Sequence, residues 1–267
     1  MKVYFHPQFY TVYTSDPAAA PGRMESIIDA ITPSVQLFSF PAAGEADIRA
    51  VHPLPHIERI RREGLYDIAA LAAGGAIQAA VTGMDEPSFA VIRPPGHHAS
   101  SDSCWGFCFF NNMAISLQRL RMTGRIERAF VLDFDLHFGD GNVNILGGEP
   151  WVELYNPEFP ERKSYLEEVQ YALDNTSADV IAVSAGFDNH QQDWGGLLAT
   201  DDYRQMGRWV LQAARRNRGG CYGILEGGYN HAVLGENVRA FLEGMMGKNN
   251  GAAESDKRKA KRRNSDI

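Results

Sequence analysis

Residues 129–141 read AFVLDFDLHFGDG. The run from Ala129 to Phe134 is apolar and bounded by charge, which predicts a buried β-strand. Asp133, Asp135, His137 and Asp140 follow among two glycines, where the strand gives way to a loop. Folding alone does not ask for four ionisable groups at the end of a core strand, because a buried carboxylate is strongly destabilising unless it is paired or bound to a cation. In open α/β sheets, ligands sit outside the carboxyl ends of the strands. The stretch therefore predicts a metal site on such an edge.

The rest of the chain is compatible with one large α/β domain. Its 267 residues suffice for a substantial core, and 44% hydrophobic with 22% charged residues is the balance of an ordinary water-soluble protein. No apolar run is long enough to cross a bilayer, and Met1 leads straight into an apparent strand, so neither a membrane span nor a signal peptide is expected. Three cysteines, Cys104, Cys108 and Cys221, do not make a disulfide framework and point to a reducing, cytoplasmic setting. A net charge of −7 disfavours nucleic acid as a partner. Residues 247–267, GKNNGAAESDKRKAKRRNSDI, are basic and lack large apolar residues before Ile267. They are expected to form a disordered, solvated tail with at most a weak hold on nucleic acid, which leaves 1–246 as the catalytic domain.

Strand and helix signals alternate along the chain. Strands are expected at Lys2–His6, Val35–Phe40, Ser88–Ile92, Ala129–Phe134, Trp151–Tyr155, Asp179–Ser184 and Cys221–Leu225. Helices are expected from Pro21 through Ile31, at Glu45–Val51, Pro53–Arg62, Asp67–Thr82, Asn112–Met122, Ser164–Leu173, Asp201–Arg216 with Thr200 as cap, and Val233–Met246. Gly74-Gly75 inside the Ala-rich helix marks a close helix contact. This alternation predicts a three-layer α-β-α fold with a mainly parallel central sheet.

Four strand ends carry unusual chemistry: RPPGHHA (Arg93–Ala99), DFDLHFGDG (Asp133–Gly141), SAGFDNH (Ser184–His190) and LEGGYN (Leu225–Asn230). On one edge of a parallel sheet they would gather histidines, aspartates and a tyrosine. The Asp135-x-His137 spacing puts both side chains on one side of an extended segment. With Asp188 they make three ligands of O, N and O type, which suits a catalytic zinc site with an open position better than a closed structural one.

In these motifs and their order the chain resembles the histone deacetylase superfamily, which includes bacterial acetylpolyamine amidohydrolases and acetoin-utilisation proteins and has the arginase-like α/β fold. The resemblance runs from about Arg23 to Tyr229. It implies that Asp135, His137 and Asp188 bind Zn2+, with Fe2+ as the alternative ion, and that His97 and His98 are the tandem histidines beside the nucleophilic water. It implies further that Tyr229 faces the substrate carbonyl and that Asp133 and Asp140 stand behind the two histidines. Gly106, Phe107 and Gly228 match substrate-binding positions, Phe107 as an aromatic tunnel wall. Arg23 matches a buried arginine near the tunnel's inner end. The family often holds a K+ ion through the loop that corresponds to Asp133–His137.

Amide hydrolysis needs an activated water, an acid for the leaving amine and a donor for the oxyanion. His97 is read as base, His98 as acid and Tyr229 as oxyanion donor; the reverse order, or one histidine serving both steps, also fits. Gly227 and Gly228 would let the Tyr229 backbone come close. The expected activity is removal of an acetyl or other acyl group from an acylated primary amine such as acetyl-lysine or an acetylpolyamine. Two departures stand out: Phe138 follows the ligand histidine where many relatives have a second histidine, and the His56–Asp67 segment is short. A rim acid therefore lacks a clear counterpart, with Glu63, Asp85 and Asp102 as candidates. Competing readings are an arginase-like ureohydrolase with two manganese ions, which would want a carboxylate where Gly139 stands, and an inactive acyl-lysine reader, which should have lost a ligand or the tyrosine. His6, His52, His56, His190 and His231 read as structural or exposed.

Overall fold

The structure is a computed structural model describing residues 1–248; residues 249–267, nearly all of the expected basic tail, lie outside the described residues. Seven strands, Lys2–Tyr4 (β1), Gln36–Phe38 (β2), Ser88–Ala90 (β3), Ala129–Asp133 (β4), Val152–Tyr155 (β5), Val180–Ala185 (β6) and Gly220–Leu225 (β7), form one sheet in the order β2-β1-β3-β7-β6-β4-β5. Every pairing is parallel. Strands β4, β6 and β7 are buried along their whole length, as expected when helices cover both faces of a parallel sheet.

The helices are Arg23–Ile31 (α1), Glu45–Arg49 (α2), Leu54–Arg62 (α3), Tyr66–Gly83 (α4), Asn112–Met122 (α5), Asp140–Leu146 (α6), Arg162–Asn175 (α7), Thr200–Asn217 (α8) and His231–Met245 (α9). Helices α2 to α5 pack together, with α4 against β1, β3 and β7, while α1 and α8 pack on α9, and α8 also reaches α7, β6 and β7. The Gly74-Gly75 pair does what its sequence suggested. A Cβ at Gly74 would lie 2.2 Å from the Pro41 carbonyl oxygen, and one at Gly75 would lie 2.6 Å from Ile92.

The apolar core also anchors the site. Phe134 and Phe187, each immediately before an aspartate of the expected metal site, meet at 5.7 Å between ring centroids and pack with Tyr203 of α8 and Phe241 of α9. Both phenylalanines are fully buried. Burying such a ring stabilises by about 1.5–3 kcal/mol. Each therefore holds its neighbouring aspartate at a fixed height on the sheet edge.

Three features depart from the sequence reading. Short 3₁₀ turns at Pro7–Tyr10 and Pro17–Ala19 and the helix α6 were not anticipated. Thr200 is the first helical residue of α8 rather than its cap; its hydroxyl donates to Asn237 at 2.7 Å, and the Asp202 carboxylate reaches back to the Ala199 N–H at 2.8 Å. No helix among the described residues is long and apolar enough to cross a membrane.

Candidate metal centre and active site

The four chemistry-bearing strand ends belong to β3, β7, β6 and β4, which are consecutive neighbours in the sheet. Register pairs Ala90 with Ile224, Ala185 with Leu225 and Asp133 with Ser184, so the residues just beyond them emerge at one level. Backbone donors tie the edges together. The Gly227 N–H donates to Asp135 Oδ2 at 2.8 Å, and the Leu136 N–H donates to Asp188 Oδ1 at 3.0 Å. A Cβ on Gly227 would fall 2.5 Å from carboxylate oxygens of both Asp135 and Asp188, so only glycine admits the two acids there.

Ligand atoms of Asp135, His137 and Asp188 all lie within 4.8 Å of one another. His137 Nδ1 stands 3.2 Å from Asp135 Oδ1 and 3.1 Å from Asp188 Oδ2. The electrostatics of this cluster are unfavourable without a cation. Burial and the charge of Asp135 push Asp188 up to about 6. Burial opposes ionisation of Asp135 as well, but His97 and the donors from His137 and Gly227 outweigh it and hold its pKa low. The hydrogen bond to Asp135 and the charge of Asp188 raise His137 to about 10. Asp188 Oδ2 is buried and accepts no hydrogen bond. Two buried carboxylates, an imidazole and an unsatisfied oxygen fit a divalent ion, which would ionise both acids and displace the proton from His137. A cavity of about 530 Å³ lined by Asp135, His137, Phe138 and Asn189 adjoins the cluster.

His97 and His98, both 3% exposed, stand beside this cluster. His97 Nδ1 is 3.2 Å from Asp133 Oδ2, and its Nε2 is 3.8 Å from Asp135 Oδ1. His98 Nδ1 is 2.7 Å from Asp140 Oδ1. Asp133 is steadied by Asn142, whose Nδ2 donates to Oδ2 at 3.0 Å. Burial works against a charged His97, but Asp135 and Asp133 outweigh it and its pKa stands well above the ordinary imidazole value. Burial and the neighbouring His97 lower His98 to about 4.

Tyr229 follows Gly228, whose φ of 118° belongs to glycine. Its ring meets Phe107 edge-on at 6.0 Å and stacks on Trp194 at 4.1 Å. Burial and the charges of Asp135 and Asp188 raise its hydroxyl pKa, so it stays a proton donor. The Tyr229 backbone is fixed from two sides. Asp193 accepts the N–H groups of Tyr229 and Asn230, both at 2.8 Å. Fully buried Arg23 donates to the Gly228 carbonyl at 2.8 Å and to the Glu226 carbonyl at 2.6 Å. Gly106 lies flat against His98, since a Cβ there would be 2.4 Å from His98 Cδ2.

Several residues here were given no role by the sequence reading, although Glu226 lies inside the LEGGYN stretch. Glu226 is fully buried, is raised to about 7 by burial, and accepts the Gly96 N–H at 2.7 Å, which fixes the loop bearing both histidines. The rule that flagged Asp133, a carboxylate at the end of a core strand, applies equally to it. Half-exposed Trp105 and Trp194 stack on His98 and Tyr229, and nothing in their local sequence announces this. Of the rim candidates, Asp85 precedes β3 and pairs with Arg125 at 3.3 Å, at the sheet edge opposite the site, so it is not at the rim. His52 and His56 are structural: His52 lies between the Ser101 carbonyl and the Asn111 N–H, and His56 bonds the Phe109 carbonyl.

This constellation on a wholly parallel α/β sheet defines the class. Residues 61–156 and 160–245 match the histone deacetylase domain. The chain is 28% identical over 284 residues to a histone deacetylase-like amidohydrolase of Pseudomonas aeruginosa, covering 84% of this chain and 75% of that protein. It is 31% identical over 283 residues to a probable deacetylase of Methanothermobacter thermautotrophicus, covering 85% of each. The fold superposes on the crystal structure of the HDA15 HD domain with a TM-score of 0.82 at 21% identity, over 92% of this chain and 89% of that one. The chain belongs to the histone deacetylase family.

Proposed function

We propose that this chain is a cytoplasmic, metal-dependent deacetylase that hydrolyses the amide of an acylated primary amine, either acetyl-lysine or an acetylpolyamine, within a catalytic domain of residues 1–246. Zinc is the expected ion and iron the alternative. The observation that carries the reading is the convergence of Asp135, His137 and Asp188 within 4.8 Å beside two buried histidine–aspartate pairs. An ion held by these three residues would supply Lewis acidity, easing deprotonation of water and polarising the acyl carbonyl. A K+ ion at the Asp133–His137 loop would be structural.

The chain's own groups divide the remaining work. Phe107 and Tyr229 flank the acyl-amine chain and orient its carbonyl. The charge environments favour the alternative in which one histidine serves both steps. His98 is held neutral, with Nδ1–H on Asp140, so its Nε2 is free to take the water's proton and pass it to the leaving nitrogen. His97, between Asp133 and Asp135, keeps its proton and stabilises negative charge. The Tyr229 hydroxyl donates to the oxyanion.

The arginase alternative loses support, because the space beside Gly139 where a bridging acid would stand is filled by Asp133 Oδ2, 2.0 Å from a built Cβ. The test is metal analysis together with turnover of an acetyl-lysine peptide and of N-acetylputrescine. About one zinc or iron per chain with hydrolysis of either substrate supports the reading; two manganese ions, or no turnover of any acyl amine, rejects it.

A further inference from the structure

We propose that Trp105 is a positioning residue for His98, its indole fixing the His98–Asp140 pair and covering the His98 ring; this rests on the hydrolase reading above. The Asp140 carboxylate is shared. Oδ1 takes His98 Nδ1 at 2.7 Å, and Oδ2 takes the Trp105 Nε1–H at 2.8 Å. The same indole covers the imidazole, with centroids 3.9 Å apart and planes inclined by 30°. His97 packs against the His98 ring as well, at 4.0 Å. Stacked rings and the Asp140 bond thus leave Nε2 as the working nitrogen of His98.

The backbone is bent to achieve this. Gly106 and Phe107 are both left-handed, with φ of 58° and 71°, and the Cys108 N–H donates to the Trp105 carbonyl at 3.0 Å. A non-glycine residue in that region costs of order 1–3 kcal/mol and persists only where its surroundings enforce it. The turn folds residue 105 back over the histidine. Trp105 is itself 55% exposed while His98 is 3% exposed, so the indole contributes little to the core and acts as a cover. Without it, Asp140 Oδ2 would turn to solvent and the pair could swing. Ordering partners of this kind typically carry 10–100-fold in activity.

Two variants separate the parts. Trp105→Phe keeps a ring over His98 and loses the N–H; Trp105→Ala loses both. On the metal-loaded enzyme we expect kcat to fall about 10-fold in the first and further in the second, with KM and metal content changing little, so that phenylalanine rescues part of the loss. Independently of activity, the Trp105 indole N–H, identified in the ¹H–¹⁵N spectrum by its loss in Trp105→Phe, should exchange slowly with D₂O despite the exposed ring. It should also shift in Asp140→Asn. An unchanged kcat in both variants, or an indole proton that exchanges like that of a free surface tryptophan, overturns the proposal. If the wild-type protein hydrolyses no acyl amine, the hydrolase reading fails, and the exchange measurement alone decides whether the indole fixes the pair.

Discussion

The rings of His97 and His98 lie 4.0 Å apart, centroid to centroid, and each turns its Nδ1 toward a different aspartate. Their surroundings are unequal. His97 sits between two carboxylates, whereas His98 has one carboxylate and a charged neighbour in His97 itself. Adjacent imidazoles that share a charge cannot both be protonated at little cost, and the one between two carboxylates holds the proton.

A shift in the acid limb of the rate profile follows. Burial and His97 together hold His98 at about 4. A base works only when neutral, so activity should fall as pH drops through the pKa of His98. Removing the neighbouring charge raises that pKa. In His97→Asn, therefore, the acid limb of kcat/KM should lie at higher pH than in the wild type, in addition to a lower plateau. Profiles from about pH 4 to about pH 9 check this. Coincident acid limbs would show that the two rings do not divide the work in this way.

Metal uptake should release protons. His137, raised to about 10 by its hydrogen bond to Asp135 and the charge of Asp188, is protonated in the metal-free protein at neutral pH and must lose that proton to bind an ion. Below about 6 a second proton must leave Asp188. Apparent affinity should thus rise about tenfold per pH unit near neutrality. Calorimetric titration in two buffers of different ionisation heat measures the proton count directly, and a count of zero would contradict the ligand set. Asp188→Ala should fail to retain stoichiometric metal while keeping its fold.

The sheet was readable because β4, β6 and β7 are short, mostly apolar runs buried at every residue, the pattern of strands covered on both faces. The meeting of Asp135, His137 and Asp188 was readable for the same reason, since charge at the end of such a run has no folding rationale. Other features depend on partners that sequence spacing does not reveal. Trp105 meets Asp140, 35 residues away, and Glu226 meets Gly96, 130 residues away. Helix α6 starts at Asp140, inside the glycine-bearing 133–141 motif, which masked its beginning. Thr200 looked like a cap because Thr-Asp-Asp is a common helix start, yet the Asp202 carboxylate satisfies the Ala199 N–H instead.

Tyr229→Phe keeps the ring that stacks on Trp194 and faces Phe107, and removes only the hydroxyl. Metal content and melting temperature should therefore stay close to wild type. Loss of one oxyanion donor should lower kcat by roughly 10²-fold or more, with little change in KM. Near-normal turnover would remove Tyr229 from the chemistry and leave it a wall residue.

Gly139 decides between one metal and two. A Cβ at this position would meet Asp133 Oδ2 at 2.0 Å and Asn156 Oδ1 at 3.3 Å. An acid introduced there to bridge a second ion must first displace Asp133, the carboxylate that orients His97. Gly139→Asp is therefore expected to hold no second metal ion and to lose acyl-amine hydrolysis by at least about tenfold, as when an orienting carboxylate is removed. Gly139→Ala, with no charge to offer, should show a similar loss from the same displacement. Elemental analysis of both variants, with a parallel assay for guanidine hydrolysis, reads the outcome. A Gly139→Asp protein that binds two manganese ions and releases urea from a guanidino substrate would show that Asp133 yields to a bridging acid, and that the site is one substitution from the binuclear chemistry.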